Sequence, residues 1–575
     1  PRFFMQELIV NTLLVLGALN LLLVWFVGRT AKLSFAPKTT PDGESELSSS
    51  KVVFIFAVVA SIVGLAFRLY GFNRSLWLDE FGTLWVIEGS FSQLMERVNA
   101  FQGQSPLYYL LVWLFVHLIG ESEFTLRLLS LLLGVGTVYG IYVFGNFLYG
   151  RNPGLISASF LWLSSSMVYS GTDARPYALA LFMAVIMFYG FGRAAQSGER
   201  FGRWLFIVGG VGLFSTHYIL ILVGTGIALG YVLFPRLRSQ YPSHQFALDV
   251  GAQVVLVSWC FPQIFQLWSR RESLSWLGST NYFIFFELIG PFVVLALAPY
   301  LSGKRLVGSD FQQGMASVLG LAIGAQVGFL YLLAYFGTNL LDPRYMIVIV
   351  VPAALLASRS FVQLPRYSAS TTLLYWLIFF GIYFIMDFRV YGSFSRVGFQ
   401  DWRNAVACLD KFMRSEPKAL VLYRAGFVEE DGLIKGQITP AALSPLRSPG
   451  HQPVSWNLIQ LTYSWIKPGR EDYFARTVEP AIHSMPVFYF FSCGGCFNQL
   501  TGQYSEALIA WIEEKFPGRF QRESIQAGRG ITLIRFVDRF AVTSPKGWHN
   551  ATVSTISPQH PELGQTSNRN SCKRT

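Results

Sequence analysis

Long apolar runs separated by short polar loops fill the chain from near its start to about residue 386. Crossing the hydrocarbon core of a bilayer takes roughly 20 apolar residues in a helix. Leu8–Val27, Val52–Leu69, Thr125–Tyr149, Pro153–Ser170, Tyr177–Phe191 and Trp204–Thr216 are therefore read as spans or their cores. Ile219–Phe234, Phe246–Leu267, Phe283–Tyr300, Ala316–Phe336, Met346–Leu356 and Leu373–Met386 follow in the same way. Pro106–Ile119 is apolar but too short, so it is assigned to the interface as a surface or re-entrant helix. Basic loops alternate with mixed ones: Arg29, Lys32, Lys38 and Lys51 on one side, Asp79, Glu80, Asp173 and Arg175 on the other. By the positive-inside rule the first set is cytoplasmic. The chain is expected to be a polytopic α-helical membrane protein of about twelve spans, with both ends on the side of Asp79.

After residue 388 the pattern changes. Ala419–Tyr423, Pro486–Phe491 and Ile531–Phe536 are short apolar or alternating runs of strand length. Helix-like stretches, Asp401–Met413 and Ser505–Phe516, lie between them. The domains expected are 1–50, an additional N-terminal span with a cytoplasmic linker; 51–388, the transmembrane domain; 389–542, an extracytoplasmic α/β domain; and 543–575, a polar tail expected to be disordered.

Composition agrees with a membrane protein. Of 575 residues 52% are hydrophobic and only 14% charged, against about 25% charged in soluble domains. The net charge of +12 reflects Lys and Arg in short loops, so it reports orientation and does not point to nucleic acid. Leu8–Val27 is too long for the apolar core of a cleavable signal, and no small-residue cleavage site accompanies it. Among five cysteines only Cys493 and Cys496 are closely spaced. Two free thiols, a local disulfide or a redox or metal site all remain open there, although a zinc site needs about four ligands. No nucleotide-binding loop is present, and the glycines within apolar runs fit close helix packing.

The candidate chemistry gathers on the side of Asp79. Trp77-Leu78-Asp79-Glu80 places two adjacent carboxylates beyond a membrane helix, where charge is costly unless solvated, paired or functional. Arg127, Asp173-Ala174-Arg175-Pro176-Tyr177, Thr216-His217-Tyr218 and Asp342-Pro343-Arg344-Tyr345 fall at the same predicted level.

With Ser105-Pro106-Leu107-Tyr108-Tyr109, Glu123–Arg127 and the opening Asp401–Ala405 of the C-terminal region, these pieces resemble the GT-C superfamily of membrane glycosyltransferases. The resemblance covers residues 51 to about 420. It is to the family 39-like group of protein O-mannosyltransferases and lipid A aminoarabinose transferases. The chain departs in its extra first span and in Ser105-Pro106, where some members have His-Pro-Pro. The resemblance implies a GT-C fold and a polyprenyl-phosphate sugar donor. It also implies a glycan, lipid or protein acceptor and catalytic loops facing outward from the plasma membrane. By position it implies Asp79 beside the acceptor with Glu80 next to it, Asp173 as the second acidic residue, and Arg127 after the interfacial helices. Arg344 and Tyr345 are expected near the lipid phosphate, with Arg175, Tyr177, His217 and Tyr218 around the donor.

Elementary chemistry fits this assignment. Attack on a glycosyl phosphate needs a base for the incoming hydroxyl and cations for the charge left on phosphate. Asp79 suits the first role and Arg175 or Arg344 the second, with inversion at the sugar carbon. No cofactor is expected, and a divalent cation at the acidic pair is left open. A transporter or flippase is the rival reading, and its mark would be paired interrupted helices in two related halves. No such internal symmetry is visible in the sequence.

Overall fold

The computed structural model describes residues 43–72, 74–269, 309–336, 340–359, 401–424, 457–493, 500–528 and 530–540, with a few isolated positions between. The expected spans Leu8–Val27 and Leu373–Met386, most of Phe283–Tyr300, Cys496 and the tail to residue 572 lie outside the described residues. The chain forms two compact units. One holds residues through Phe394 apart from Arg74–Trp85, and the other combines Arg74–Trp85 with the C-terminal region from Ser395.

The first unit is helical. Its elements are α1 (Gly43–Phe72), α2 (Phe91–Phe101), α3 (Leu107–Ile119), α4 (Glu123–Tyr149), α5 (Arg151–Leu163), α6 (Ser165–Gly171) and α7 (Tyr177–Ser197). They continue with α8 (Arg200–Phe214), α9 (Val223–Leu233), α10 (Ser243–Leu256), α11 (Phe261–Ser269), α12 (Asp310–Tyr335) and α13 (Val350–Arg359). Among the described residues five segments are long and apolar enough to cross a bilayer: Val53–Phe72, Glu123–Tyr149, Tyr177–Ser197, Ser243–Leu267 and Asp310–Tyr335. They coincide with five of the expected spans and make this a multi-pass membrane protein. At 13 residues, α3 reaches only about 20 Å at 1.5 Å per residue, too short to cross.

One expected span is broken. Pro153–Ser170 reads as a single crossing, but the chain divides at Ser164, whose hydroxyl donates to the Leu161 carbonyl at 2.7 Å and accepts from the Met167 N–H at 3.3 Å. That side chain closes α5 and opens α6. Residues 153–180 are all buried, so protein rather than solvent surrounds the break.

Glycines let the helices touch. A Cβ added at Gly209 of α8 would lie 2.3 Å from the Met187 nitrogen of α7, and one at Gly226 of α9 would lie 2.2 Å from the Ala322 Cα of α12. Backbone meets backbone at both points, as close helix packing in lipid requires. Gly226→Ala must push α9 and α12 apart, an overpacking cost of about 1–3 kcal/mol. The expected result is a lower melting temperature of the detergent-solubilised protein, whereas Gly251→Ala, where an added Cβ meets nothing within 4 Å, leaves it unchanged.

The second unit contains a six-stranded sheet in the order β2-β1-β3-β5-β4-β6. The strands are β1 (Leu420–Arg424), β2 (Asn457–Leu461), β3 (Val487–Cys493), β4 (Phe520–Gly528), β5 (Ile531–Asp538) and β6 (Lys573–Arg574). β1 runs parallel to β2 and β3, while β3, β5, β4 and β6 are antiparallel in turn. β1, β3 and β5 fall on the three runs read as strands. The helices α14 (Trp402–Ser415) and α15 (Leu500–Lys515) also belong to this unit. Its core holds Leu420, Leu422, Phe488, Phe490, Ile534 and Phe536, with the paired rings of Phe488 and Phe536 stacked at 4.6 Å.

Candidate functional site

The loop between α6 and α7 is set by local geometry. The Arg175 N–H bonds the Asp173 carbonyl at 2.8 Å, and Pro176, its φ fixed near the helical value, starts α7 at Tyr177. This tight turn buries Asp173, Arg175 and Tyr177 together, none more than 6% exposed.

A second segment meets that loop. Residues 105–107 are stitched to the end of α8 by the Ser105 N–H to the Thr216 carbonyl at 3.2 Å, the Leu107 N–H to the Ser215 carbonyl at 3.0 Å, and the Ser105 hydroxyl to the Phe214 carbonyl at 2.7 Å. Gln263 of α11 holds the approach, donating its amide to the carbonyls of Val98 and Gln104, each at 2.9 Å. Its carbonyl accepts the hydroxyl of Tyr218. Tyr218 is thereby a brace for this segment. On this frame the Arg175 guanidinium donates to Gln104 Oε1 at 3.1 Å and to the Tyr109 hydroxyl at 3.3 Å. The Tyr109 hydroxyl also lies 2.9 Å from both Gln104 Oε1 and Gln102 Oε1.

His217 completes the group. Its ring lies 6.4 Å from that of Tyr177 and 5.4 Å, edge-on, from that of Tyr345. It is 1% exposed. Burial, with the charges of Arg175 and then Arg344 adding to it, pushes its pKa down to about 3, so the ring is neutral at physiological pH. Arg344 opens a short helical turn, Pro343–Met346, whose start is capped by Asp342: the Arg344 N–H reaches the Asp342 carboxylate at 2.8 Å. The same carboxylate takes a fork from the guanidinium, at 2.9 Å from Nε and 3.1 Å from Nη2. Gln326 of α12 fixes the neighbouring backbone by donating to the Tyr345 carbonyl at 2.8 Å.

Arg175, Tyr177, His217, Arg344 and Tyr345, expected near the donor, are thus one neighbourhood, and Tyr218 braces it. Arg127 is engaged at the end of α1, where it donates to the Phe72 carbonyl at 3.2 Å, a favourable place for a cation. Asp79 and Glu80 belong to the second unit, in the first turn of the helix Leu78–Ile87. Glu80 is fully buried and its carboxylate accepts the Trp77 N–H at 3.3 Å, closing the helix start as a capping residue does. Asp79 is half-buried. The preceding segment is tied within its unit by the Arg403 N–H to the Ser75 hydroxyl at 3.1 Å. Among the described residues no group of three or more His, Cys, Asp and Glu side chains could hold a metal ion.

Sequence reasoning did not single out Gln104, Gln263 or Gln326, and named Tyr109 only as the end of the Ser105–Tyr109 motif, with no role of its own. The available signal was a pair of amides, Gln102 and Gln104, at the foot of the apolar helix α3, and glutamines inside α11 and α12.

Comparison with known proteins falls on the same segment. Residues 103–260 match the family model described as dolichyl-phosphate-mannose-protein mannosyltransferase. This bears out, over that stretch, the resemblance to the GT-C membrane glycosyltransferases. Asp173, Arg175, Tyr177, His217, Tyr218 and Arg127 lie inside it; Asp79, Glu80, Arg344 and Tyr345 lie outside. No curated protein matches the chain. Among solved structures the chain is similar to ArnT from Cupriavidus metallidurans bound to undecaprenyl phosphate, at 12% identity and a TM-score of 0.49, over 83% of this chain and 97% of that one. The apo state of the same protein gives 13% identity and a TM-score of 0.49, over 85% and 98%.

Proposed function

We propose that the protein is an inverting glycosyltransferase that moves a sugar from a polyprenyl-phosphate donor to a glycan, lipid or protein acceptor at the extracytoplasmic face of the plasma membrane. The observation that carries this reading is Arg175, a buried guanidinium oriented by hydrogen bonds to Gln104 and Tyr109, beside His217. A cation kept this dry and oriented suits a phosphate that must lose its sugar, because the charge it meets grows as the bond breaks. Arg344, oriented by Asp342, stands ready as a second contact. In the reaction the acceptor hydroxyl gives its proton to Asp79 and its oxygen bonds to the anomeric carbon. The carbon–oxygen bond to phosphate breaks with its electron pair, and polyprenyl phosphate leaves. Glu80, through its bond to the Trp77 N–H, keeps the turn that carries Asp79. Asp173, buried next to Arg175, shapes the turn through its carbonyl.

Cys408 in α14 is disulfide-bonded, which supports an oxidising, extracytoplasmic setting for the second unit. The reading is tested by deleting the protein and comparing envelope glycans and lipids by mass spectrometry, alongside binding of undecaprenyl phosphate to the purified protein. A missing glycosylated product together with binding is expected. An unchanged envelope with no binding overturns the proposal.

A further inference from the structure

His217 is the one ring in this neighbourhood whose two nitrogens both lack a protein hydrogen-bond partner among the described residues, although both are buried. Leaving a buried polar group in that state is costly, and two such atoms on one ring call for a physical reason. The surroundings narrow it. The ring sits among Tyr177, Tyr345, Arg175 and Arg344, and two guanidiniums beside it cannot accept a hydrogen bond.

A neutral imidazole has one N–H donor and one acceptor nitrogen. An ionised phosphate offers acceptors only, so a bare lipid phosphate held by the arginines could satisfy one nitrogen and not the other. A sugar hydroxyl both donates and accepts. A glycosyl phosphate, with hydroxyls next to phosphate oxygens, therefore supplies what both nitrogens need. From this we infer that His217 is a specificity-determining residue that contacts the sugar of the glycosylated carrier and favours it over the spent polyprenyl phosphate. The inference rests on the donor reading above and assigns to His217 a task distinct from that of the arginines. The consequence is directional: a loaded carrier binds more tightly than the product, which helps the spent carrier to leave.

The test compares undecaprenyl phosphate with a panel of its glycosides, carrying mannose, glucose and 4-amino-arabinose, for binding to the purified full chain in detergent. Wild type should bind at least one glycoside about tenfold more tightly than the bare phosphate, the discrimination expected of one or two hydrogen bonds. His217→Phe, which keeps a flat ring and removes both nitrogens, should erase that ratio while leaving affinity for undecaprenyl phosphate within about twofold. His217→Asn, which restores a donor and an acceptor, should recover part of it. A ratio retained in His217→Phe overturns the inference, as does equal loss for both ligand types, which would make the histidine a phosphate contact or a structural residue. A wild type that binds the bare phosphate without preferring any glycoside also overturns it. A wild type that binds none of these lipids instead removes the donor reading itself, and Arg175→Ala supplies the matching control for that arm. Because the readout is a ratio, a general loss of folding in a variant does not imitate the expected result.

Discussion

Arg175→Ala should weaken binding of undecaprenyl phosphate by at least about 30-fold, because losing one partner of a buried charged contact typically costs 2–5 kcal/mol. Arg175 uses one terminal nitrogen for Gln104 and the other for Tyr109, two bonds that orient the guanidinium plane. Lysine restores the charge and not the plane, so Arg175→Lys should recover only part of the affinity. Arg344→Ala should do less. Its guanidinium is already paired to the Asp342 carboxylate, which lowers the net field that it offers to an anion. Its removal also leaves a largely buried carboxylate without that partner, so some destabilisation is expected. The double change Arg344→Met with Asp342→Asn removes both charges and separates the two effects. Isothermal titration with each variant, beside its melting curve, gives the ranking. Equal loss at 175 and 344 with matched stability would contradict the assigned order, and no loss at 175 would remove the clamp.

The contrast between these two arginines also shows how far the sequence reaches. Arg344 and Asp342 are two residues apart around a proline, so their pairing is foreshadowed by spacing alone. Arg175 depends on Gln104 and Tyr109, which lie far from it along the chain, and neutral amides at the foot of an apolar helix give no pattern that links them to a distant arginine. The spans are legible because hydropathy over a long window is a direct consequence of the solvent they face. The break at Ser164 is not, because a single hydroxyl cap changes the backbone without changing the mean hydropathy of the run. The same holds for the strands. β1, β3 and β5 are apolar and central, while β2, with only its last two residues buried, and β4, polar along most of its first half, have compositions that read as loop. His217 was legible as a candidate by its place between two apolar runs. That both of its nitrogens would be buried without a protein partner could be learned only from packing.

Asp79→Asn should lower the rate of sugar transfer by roughly 10²- to 10⁴-fold, the range expected when a positioned general base is removed. The substitution keeps the shape of the side chain, and the cap of the helix start comes from its neighbour: the side chain of Glu80 accepts the Trp77 N–H, while Asp79 gives its backbone carbonyl to the Thr83 hydroxyl at 3.3 Å. Folding and affinity for undecaprenyl phosphate should therefore stay as in the parent, and the loss should appear in kcat. Glu80 makes the opposite prediction from the next position. Glu80→Gln keeps an oxygen able to accept from Trp77, so transfer should fall little. Glu80→Ala removes the cap, at about 1 kcal/mol by analogy with other helix-start residues, and should lower thermal stability as well as rate. The two neighbours are then told apart by which quantity moves. A single-turnover assay on both variants, with donor binding measured separately, decides it. Full activity in Asp79→Asn would exclude this carboxylate as the base, and a larger rate loss in Glu80→Gln than in Asp79→Asn, at unchanged stability, would transfer that role to Glu80.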